Sequence, residues 1–314
     1  MGGELSLVSL GMASSSQPIV CMGEAIVDLV CERNLAPGEA PASFVPHPGG
    51  ALANVAVSIS RSGVPAALLG GVGDDRWGRW LTAELAGEKV GTEWIAEVAG
   101  ADTPVGIVLF DSAGEPAFQI YGEHIAPTTL ASRVFLEPSV AASAAVVIGS
   151  NTMVGPVERE VTRQAVEAAH EHGVPVLFDP NYRPNRWDDE SVAADFCREL
   201  AGNSAVLKCN RIEATLISGE EDPLDAARAL ATFGPRLVVV TDGNGAVRTA
   251  GAAEAEFTPA ESEVVSPLGA GDAFMGALAA GLAGVDWDFG RVAEVLPAAA
   301  AAGSAACAHW GAQG

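Results

Sequence analysis

Pro267-Leu268-Gly269-Ala270-Gly271-Asp272-Ala273-Phe274-Met275-Gly276 is the stretch on which the reading of this chain turns. It follows an extended run, Glu263-Val264-Val265-Ser266, and leads into Ala-rich sequence from Ala273 to Leu282 that predicts a helix. Glycines at a helix start leave backbone N–H groups bare where the helix dipole favours an anion. Asp272 falls in the first turn, beside whatever those groups hold. Taken alone, Asp272 can simply complement the dipole while the glycines shape an entry turn. The dinucleotide fingerprint fits poorly, because position 274 is Phe274 and not a third glycine. No Gly-Lys-Ser/Thr follows, so the phosphate loop of nucleotide hydrolases fits no better. An anion hole next to a carboxylate suggests phosphoryl transfer, with the carboxylate taking a proton from an attacking hydroxyl.

The core Gly269-Ala270-Gly271-Asp272 resembles the second signature of the ribokinase-like (PfkB) family of carbohydrate kinases. The resemblance implies an ATP-dependent sugar kinase. In it the backbone of Gly269, Ala270 and Gly271 forms the anion hole, and Asp272 is the general base. It also implies an α/β fold, a three-layer core with a mostly parallel sheet flanked by helices, plus a small β-sheet lid over the sugar.

Upstream sequence bears on the same reading. Ile19-Val20-Cys21-Met22-Gly23 predicts a buried strand, and Glu24 to Val30 continues extended with one acid, Asp28, among apolar residues. Asp28 can be a strand-end acid facing water or an acceptor for sugar hydroxyls. Gly49-Gly50 precede a helix running to about Arg61, with Asn54 in its first turns. A glycine turn lets a ligand approach the backbone, and an Asn beyond it can both donate to and accept from a polyol. Asp28 with Gly49-Gly50-x-x-x-Asn54 is similar to the family's sugar-binding half, close to its first signature. Gly71-Val72-Gly73-Asp74-Asp75 resembles another family segment, whose acids are expected to cap the helix at 79–89. Residues 105–110 and 116–121 flank a turn at Asp111-Ser112-Ala113-Gly114 and predict a hairpin. By resemblance this hairpin joins segments near 25–46 in the lid, where Tyr121 is a candidate sugar contact.

From there strands and helices alternate, as in a parallel sheet with crossovers. Strands are expected at 145–148, 174–178, 205–208 and 237–241. Helices are expected near 156–172, 190–201, 222–233, 270–283 and 290–308. Polar clusters follow the strands: Gly149-Ser150-Asn151, Asp179-Pro180-Asn181-Tyr182-Arg183, Lys208 to Glu213, Thr241 to Gly245, and Gly269 to Asp272. Ligand sites of such sheets gather beyond the strands' carboxyl ends. Asp179-Pro180-Asn181-x-Arg183 resembles the segment of fructokinases and ketodeoxygluconate kinases; Arg183 can clamp a phosphate or a substrate carboxylate, or pair with Asp179. Asn210-x-x-Glu213 matches the family's Asn-x-x-Glu, which implies a Mg²⁺ site contacted through water. The resemblance places Lys208, Asn210, Thr241, Gly243, Gly245 and Gly271 around ATP.

Two departures matter. Many fructokinase-like members follow the hairpin tyrosine with an arginine and an acid, where this chain has Gly122-Glu123-His124. The family usually has an Asp-Thr pair before Gly-Ala-Gly-Asp, where this chain has Ser266-Pro267-Leu268. In relatives that pair helps form a monovalent-cation site, so its loss argues against potassium activation. Fructose is the first choice of substrate. Ribose, 2-keto-3-deoxygluconate and nucleosides stay open, as does a non-catalytic sugar-binding protein of the same fold.

The totals agree. At 314 residues the chain has ample length for a core, and 49% apolar residues argue against overall disorder. A net charge of −23 argues against nucleic acid or an anionic membrane as the main partner. Five scattered cysteines without metal-ligand spacing read as a reduced cytosolic protein. Residues 1–17, without a basic n-region, read as a flexible tail before a kinase domain at 18–314. A homodimer through the lid sheet is expected by analogy.

Overall fold

The computed structural model describes residues 17–121, 125–150, 154–261 and 263–313. The tail at 1–16, Gly122-Glu123-His124 and Asn151 lie outside the described residues. In chain order the strands are β1 (Ile19–Met22), β2 (Ile26–Asn34), β3 (Val45–Gly49), β4 (Ala66–Gly73), β5 (Ile95–Val98), β6 (Val105–Phe110), β7 (Pro116–Tyr121), β8 (Ala145–Gly149), β9 (Val176–Asp179), β10 (Val206–Asn210), β11 (Leu237–Thr241), β12 (Val247–Gly251) and β13 (Ala255–Phe257). The helices are α1 (Ala51–Arg61), α2 (Arg76–Gly87), α3 (Ile125–Ala131), α4 (Leu136–Ala141), α5 (Pro156–His172), α6 (Glu190–Gly202), α7 (Arg211–Ser218), α8 (Pro223–Ala231), α9 (Ala270–Gly284) and α10 (Val292–Ala306).

Nine strands make one sheet in the order β13-β12-β11-β10-β9-β8-β1-β4-β5. Every pairing from β11 to β5 is parallel, and β12 and β13 close the far side antiparallel. Its inner strands are continuous apolar runs because helices cover both faces. Along β1, Ile19 and Cys21 pack with residues of α1, α2, α9 and α10, whereas Val20 and Met22 pack with residues of α4 to α8. A second, four-stranded sheet has the order β3-β2-β6-β7, with β2 antiparallel to β3 and parallel to β6. Its hairpin, β6–β7, has the boundaries that alternation predicts. Val30, Val108, Phe110 and Leu268 form a small core beneath it.

Several elements differ from expectation, each for a local reason. Helix α2 begins at Arg76 and not at 79, because the Asp75 side chain caps it by accepting from Gly78 N at 2.7 Å. Strand β9 starts at Val176, since Val174 N still bonds Ala169 O at the end of α5. Strands β5, β12 and β13 and helices α3, α4 and α7 carry no sequence expectation; β5 is short and mostly half-buried, with weak alternation. No helix among the described residues is long and apolar enough to cross a membrane.

Candidate active site

Seven parallel strands bring their carboxyl ends to one edge, and the predicted polar residues gather there. Helix α9 starts at that edge. Gly269, at its N-cap, has φ 72°, and no side chain caps the helix. Its first N–H groups therefore have no partner within the helix and face the edge with the positive end of the dipole. Asp272 is 6% exposed, and each carboxylate oxygen takes one amide donor. Asn54 Nδ2 donates to Oδ2 and Asn181 Nδ2 to Oδ1, both at 2.8 Å. Asn54 reaches it because α1 and α9 touch: Ser58 Oγ donates to Ala273 O at 2.7 Å. A Cβ at Gly276 would sit 2.4 Å from that of Ser58, so only glycine allows this approach. Asn181 reaches it from the turn after β9 with φ 44°, a conformation that Asn tolerates better than most residues.

Asp28 does not face water. It sits on the inner strand β2, 6% exposed, opposite His47 of β3 and Gly106 of β6. A Cβ at Gly49 would lie 2.1 Å from Asp28 Oδ2, and one at Gly106 2.8 Å from Oδ1. Two glycines on flanking strands thus leave room for one carboxylate, and its Oδ1 is buried without a partner. Burial, and then repulsion from Asp272, push the Asp28 carboxyl up to about 7. Burial likewise pushes Asp272 up to about 6, against the Asn54 hydrogen bond and the charges of Arg183 and Lys208. Gly50 (φ 102°) then turns the chain into α1, whose Ala51 N donates to Glu24 Oε1 at 3.2 Å.

Lys208 is buried and donates to Asp179 Oδ2 at 2.8 Å. Burial works against its charge, but Asp179, Glu213 and Asp272 outweigh it and hold the ammonium above its ordinary range. A Cβ at Gly271 would lie 3.1 Å from Lys208 Nζ, so this cation sits behind the start of α9 and adds to the positive end of its dipole. Lys208 takes the Asp179 carboxylate, so the Arg183–Asp179 pairing allowed by sequence is not made. Arg183 instead stands 5.3 Å from the Phe118 ring centroid on β7, and its charge favours ionised Asp28 and Asp272.

Asn210 and Glu213 form a capping box that opens α7: Glu213 N donates to Asn210 Oδ1 (2.9 Å) and Asn210 N to Glu213 Oε2 (2.8 Å). Glu213 Oε1 accepts from Tyr182 N at 2.7 Å. Burial, and then repulsion from Asp179, raise the Glu213 carboxyl. Thr241 ends β11, and the turn beyond it has Gly243 at φ 53° and Gly245 N on Asp242 O at 2.6 Å. Tyr121 is 58% exposed at the end of β7, away from the buried carboxylates. Ser266 is fully buried, its Oγ accepting from Leu268 N at 3.2 Å, while Leu268 joins the apolar core of the small sheet.

The sequence pattern of the pfkB family carbohydrate kinases matches residues 16–314. The chain belongs to that family. The fructokinase of Klebsiella pneumoniae is 34% identical over 268 residues, covering 83% of each chain. A fructokinase with bound ATP from Xylella fastidiosa superposes with a TM-score of 0.81 at 27% identity, covering 95% of this chain and 94% of that one. A fructokinase double mutant from Vibrio cholerae, in a form with fructose, ADP and potassium ion bound, gives a TM-score of 0.80 at 27% identity, covering 96% and 95%. As a pfkB carbohydrate kinase the protein is a phosphotransferase with an alcohol group as acceptor.

Within this pfkB kinase, sequence reasoning passed over four side chains at the edge. Asn181 lies in a quoted segment, but nothing in the sequence pairs it with Asp272. Asp179 and Glu24 are acids at strand ends whose partners, Lys208 Nζ and Ala51 N, only the fold supplies. Gln313 Nε2 donates to Asn54 Oδ1 at 2.9 Å, across 259 positions of sequence. Helix α7, which had no sequence expectation, did have a signal: Asn210-x-x-Glu213 is also the spacing of a helix start.

Proposed function

We propose that this kinase transfers the γ-phosphoryl group of ATP to a primary hydroxyl of fructose. The observation that carries the proposal is the convergence of Asp272 and Asn54 from motifs 218 positions apart, joined at 2.8 Å. Asp28, the Gly49–Gly50 backbone and Asn54 orient the sugar. Asp272 accepts the hydroxyl proton as that oxygen attacks phosphorus in line and the bond to ADP breaks. A carboxyl near 6 is largely ionised at neutral pH yet basic enough to take a proton. The Gly269–Gly271 backbone amides, backed by Lys208, stabilise charge on the transferring group. Arg183 acts on a phosphate or on the sugar, and Tyr121 and Phe118 belong to a lid formed by the small sheet. Thr241, Gly243 and Gly245 line the nucleotide.

The donor chemistry suits a hydrated Mg²⁺, because the oxygens of Asn210 and Glu213 are hard and backbone N–H groups already bond Asn210 Oδ1 and both Glu213 oxygens, which leaves water to bridge to an ion. Asn210 would meet the ion through water, with Glu213 fixing Asn210 from behind. When bound, the ion offsets phosphate charge. Buried Ser266 and Leu268 support independence from potassium, read as unchanged kcat when potassium is replaced by choline. The exposed small sheet supports a homodimer, checked by light scattering.

Release of ADP measured over a panel of sugars tests the proposal. Fructose should give the highest kcat/KM. Turnover of another sugar alone would move the substrate assignment, and sugar binding without ADP release would replace the kinase reading by that of a binding protein.

A further inference from the structure

The Asn54 carboxamide has two ends, and only one can face an ionised Asp272. Its Nδ2 donates to Asp272 Oδ2 at 2.8 Å, while its Oδ1 accepts from Gln313 Nε2 at 2.9 Å. Turned the other way, the carboxamide would set a carbonyl oxygen against the carboxylate, and only a protonated Asp272 could bridge the two. The segment that carries Gln313 is pressed against both halves of the site. A Cβ at Gly269 would come 2.4 Å from Ala312 O, and one at Gly311 2.3 Å from His47 Nδ1 on β3. Trp310 packs edge-on against Phe110 of β6, with ring centroids 5.0 Å apart.

We infer that Gln313 is a positioning residue: by donating to Asn54 Oδ1 it holds the Asn54 carboxamide with its Nδ2 on Asp272 and thereby favours ionised Asp272 for proton transfer. The inference rests on the reading of Asp272 as the base. Asp28, Asp179, Arg183 and Lys208 are the charged groups that act on Asp272 from β2, β9, the following turn and β10. His47, paired with Glu32, lies beside Gly311 of the C-terminal segment. All of these are retained when Gln313 alone is changed to an uncharged residue, so the change reaches Asp272 through Asn54.

Gln313→Met keeps length and neutrality but removes the donor. Its kcat is expected to fall about twofold at pH 6 and to stay nearly unchanged at pH 8, where Asp272 is ionised either way, with KM within about twofold of wild type. In the ligand-free protein the Asp272 carboxyl carbon, followed by carbon-13 NMR, should titrate roughly half a pH unit higher. Gln313→Glu, which claims Asn54 Nδ2 for itself, should move both readouts further the same way. A Gln313→Met protein with wild-type kcat at pH 6 and an unmoved Asp272 titration overturns the inference. Asp272→Asn separates it from the reading beneath it. Normal turnover by Asp272→Asn, with the titration still shifted in Gln313→Met, removes the base assignment and leaves the orienting role. An inactive Asp272→Asn beside an unaltered Gln313→Met removes only the role of Gln313.

Discussion

The two edges of the nine-stranded sheet are opposites. At the amino edge lies a cavity of about 1010 Å³ bordered by Pro65, Ala144, Pro175, Ala205 and Arg236 just before their strands. Its buried polar side chains are Ser143 and Ser204, and each hydroxyl donates to a helix carbonyl nearby (2.8 and 2.7 Å). The carboxyl edge buries Asp28, Asp179, Lys208, Glu213 and Asp272, and leaves Asp28 Oδ1 and Asp179 Oδ1 without partners. Buried charge is costly unless something compensates it. Chemistry is therefore to be sought where that cost is carried. The helices agree with this assignment. α9 presents an uncapped amino end to the polar edge, while α5 and α6 end at Gly173 and Asn203 beside the cavity. Amino ends favour phosphate, and carboxyl ends do not.

This contrast breaks most sharply at Asp272. Asp272→Asn should lower kcat by roughly two orders of magnitude or more with sugar affinity nearly unchanged; retained turnover would strip the edge of its base. Gly269→Ala comes next, because a left-handed conformation costs a residue with a Cβ roughly 1–2 kcal/mol, and the new carbon would lie 2.4 Å from Ala312 O. We expect kcat/KM to fall about tenfold or more, and steady-state kinetics will show whether the anion hole tolerates the shift.

The two raised carboxyls sharpen the comparison through pH. Both are protonated more readily in the folded protein than in the unfolded chain, so the native state binds extra protons between the ordinary carboxylate range and about 6 to 7. Their effect on stability is therefore most favourable at low pH and is lost as pH rises through 6 and 7. Activity has the opposite sign, because the base works ionised: kcat/KM should decline as pH falls through 7 toward 6. The acid limb belongs to the coupled pair and not to one residue. Asp28→Asn should weaken sugar binding by about tenfold, one charged hydrogen bond. It should also raise the melting temperature at pH 8 and leave it nearly unchanged at pH 4. A lower melting temperature at pH 8 would mean that Asp28 is not a stored cost. The smallest effect is expected at the other edge. Arg236 stacks over Phe289 (4.7 Å) beside the cavity, so Arg236→Ala should cost about 1 kcal/mol or less in stability and leave kcat/KM within about twofold. A large kinetic loss there would end the contrast.

Much of this could be read from the chain alone. Continuous apolar runs alternating with helical segments give a parallel sheet, and the turn chemistry at Asp111–Gly114 gives the hairpin. Gly49-Gly50 and Gly269-Ala270-Gly271-Asp272 mark both halves of the site, because bare backbone and a carboxylate are local features. The order of the strands and the partner of every buried charge are not local. Lys208 was legible as a cation, but only the register of β9 against β10 gives it Asp179. Asn54 was legible as a polyol ligand, yet the packing of α1 on α9 turns it to Asp272, and Gln313, 259 positions away, donates to its other end. A sequence fixes which atoms can donate, accept or ionise. The fold brings them within 3 Å of one another and away from water, and both the hydrogen bonds and the altered acidities depend on that separation.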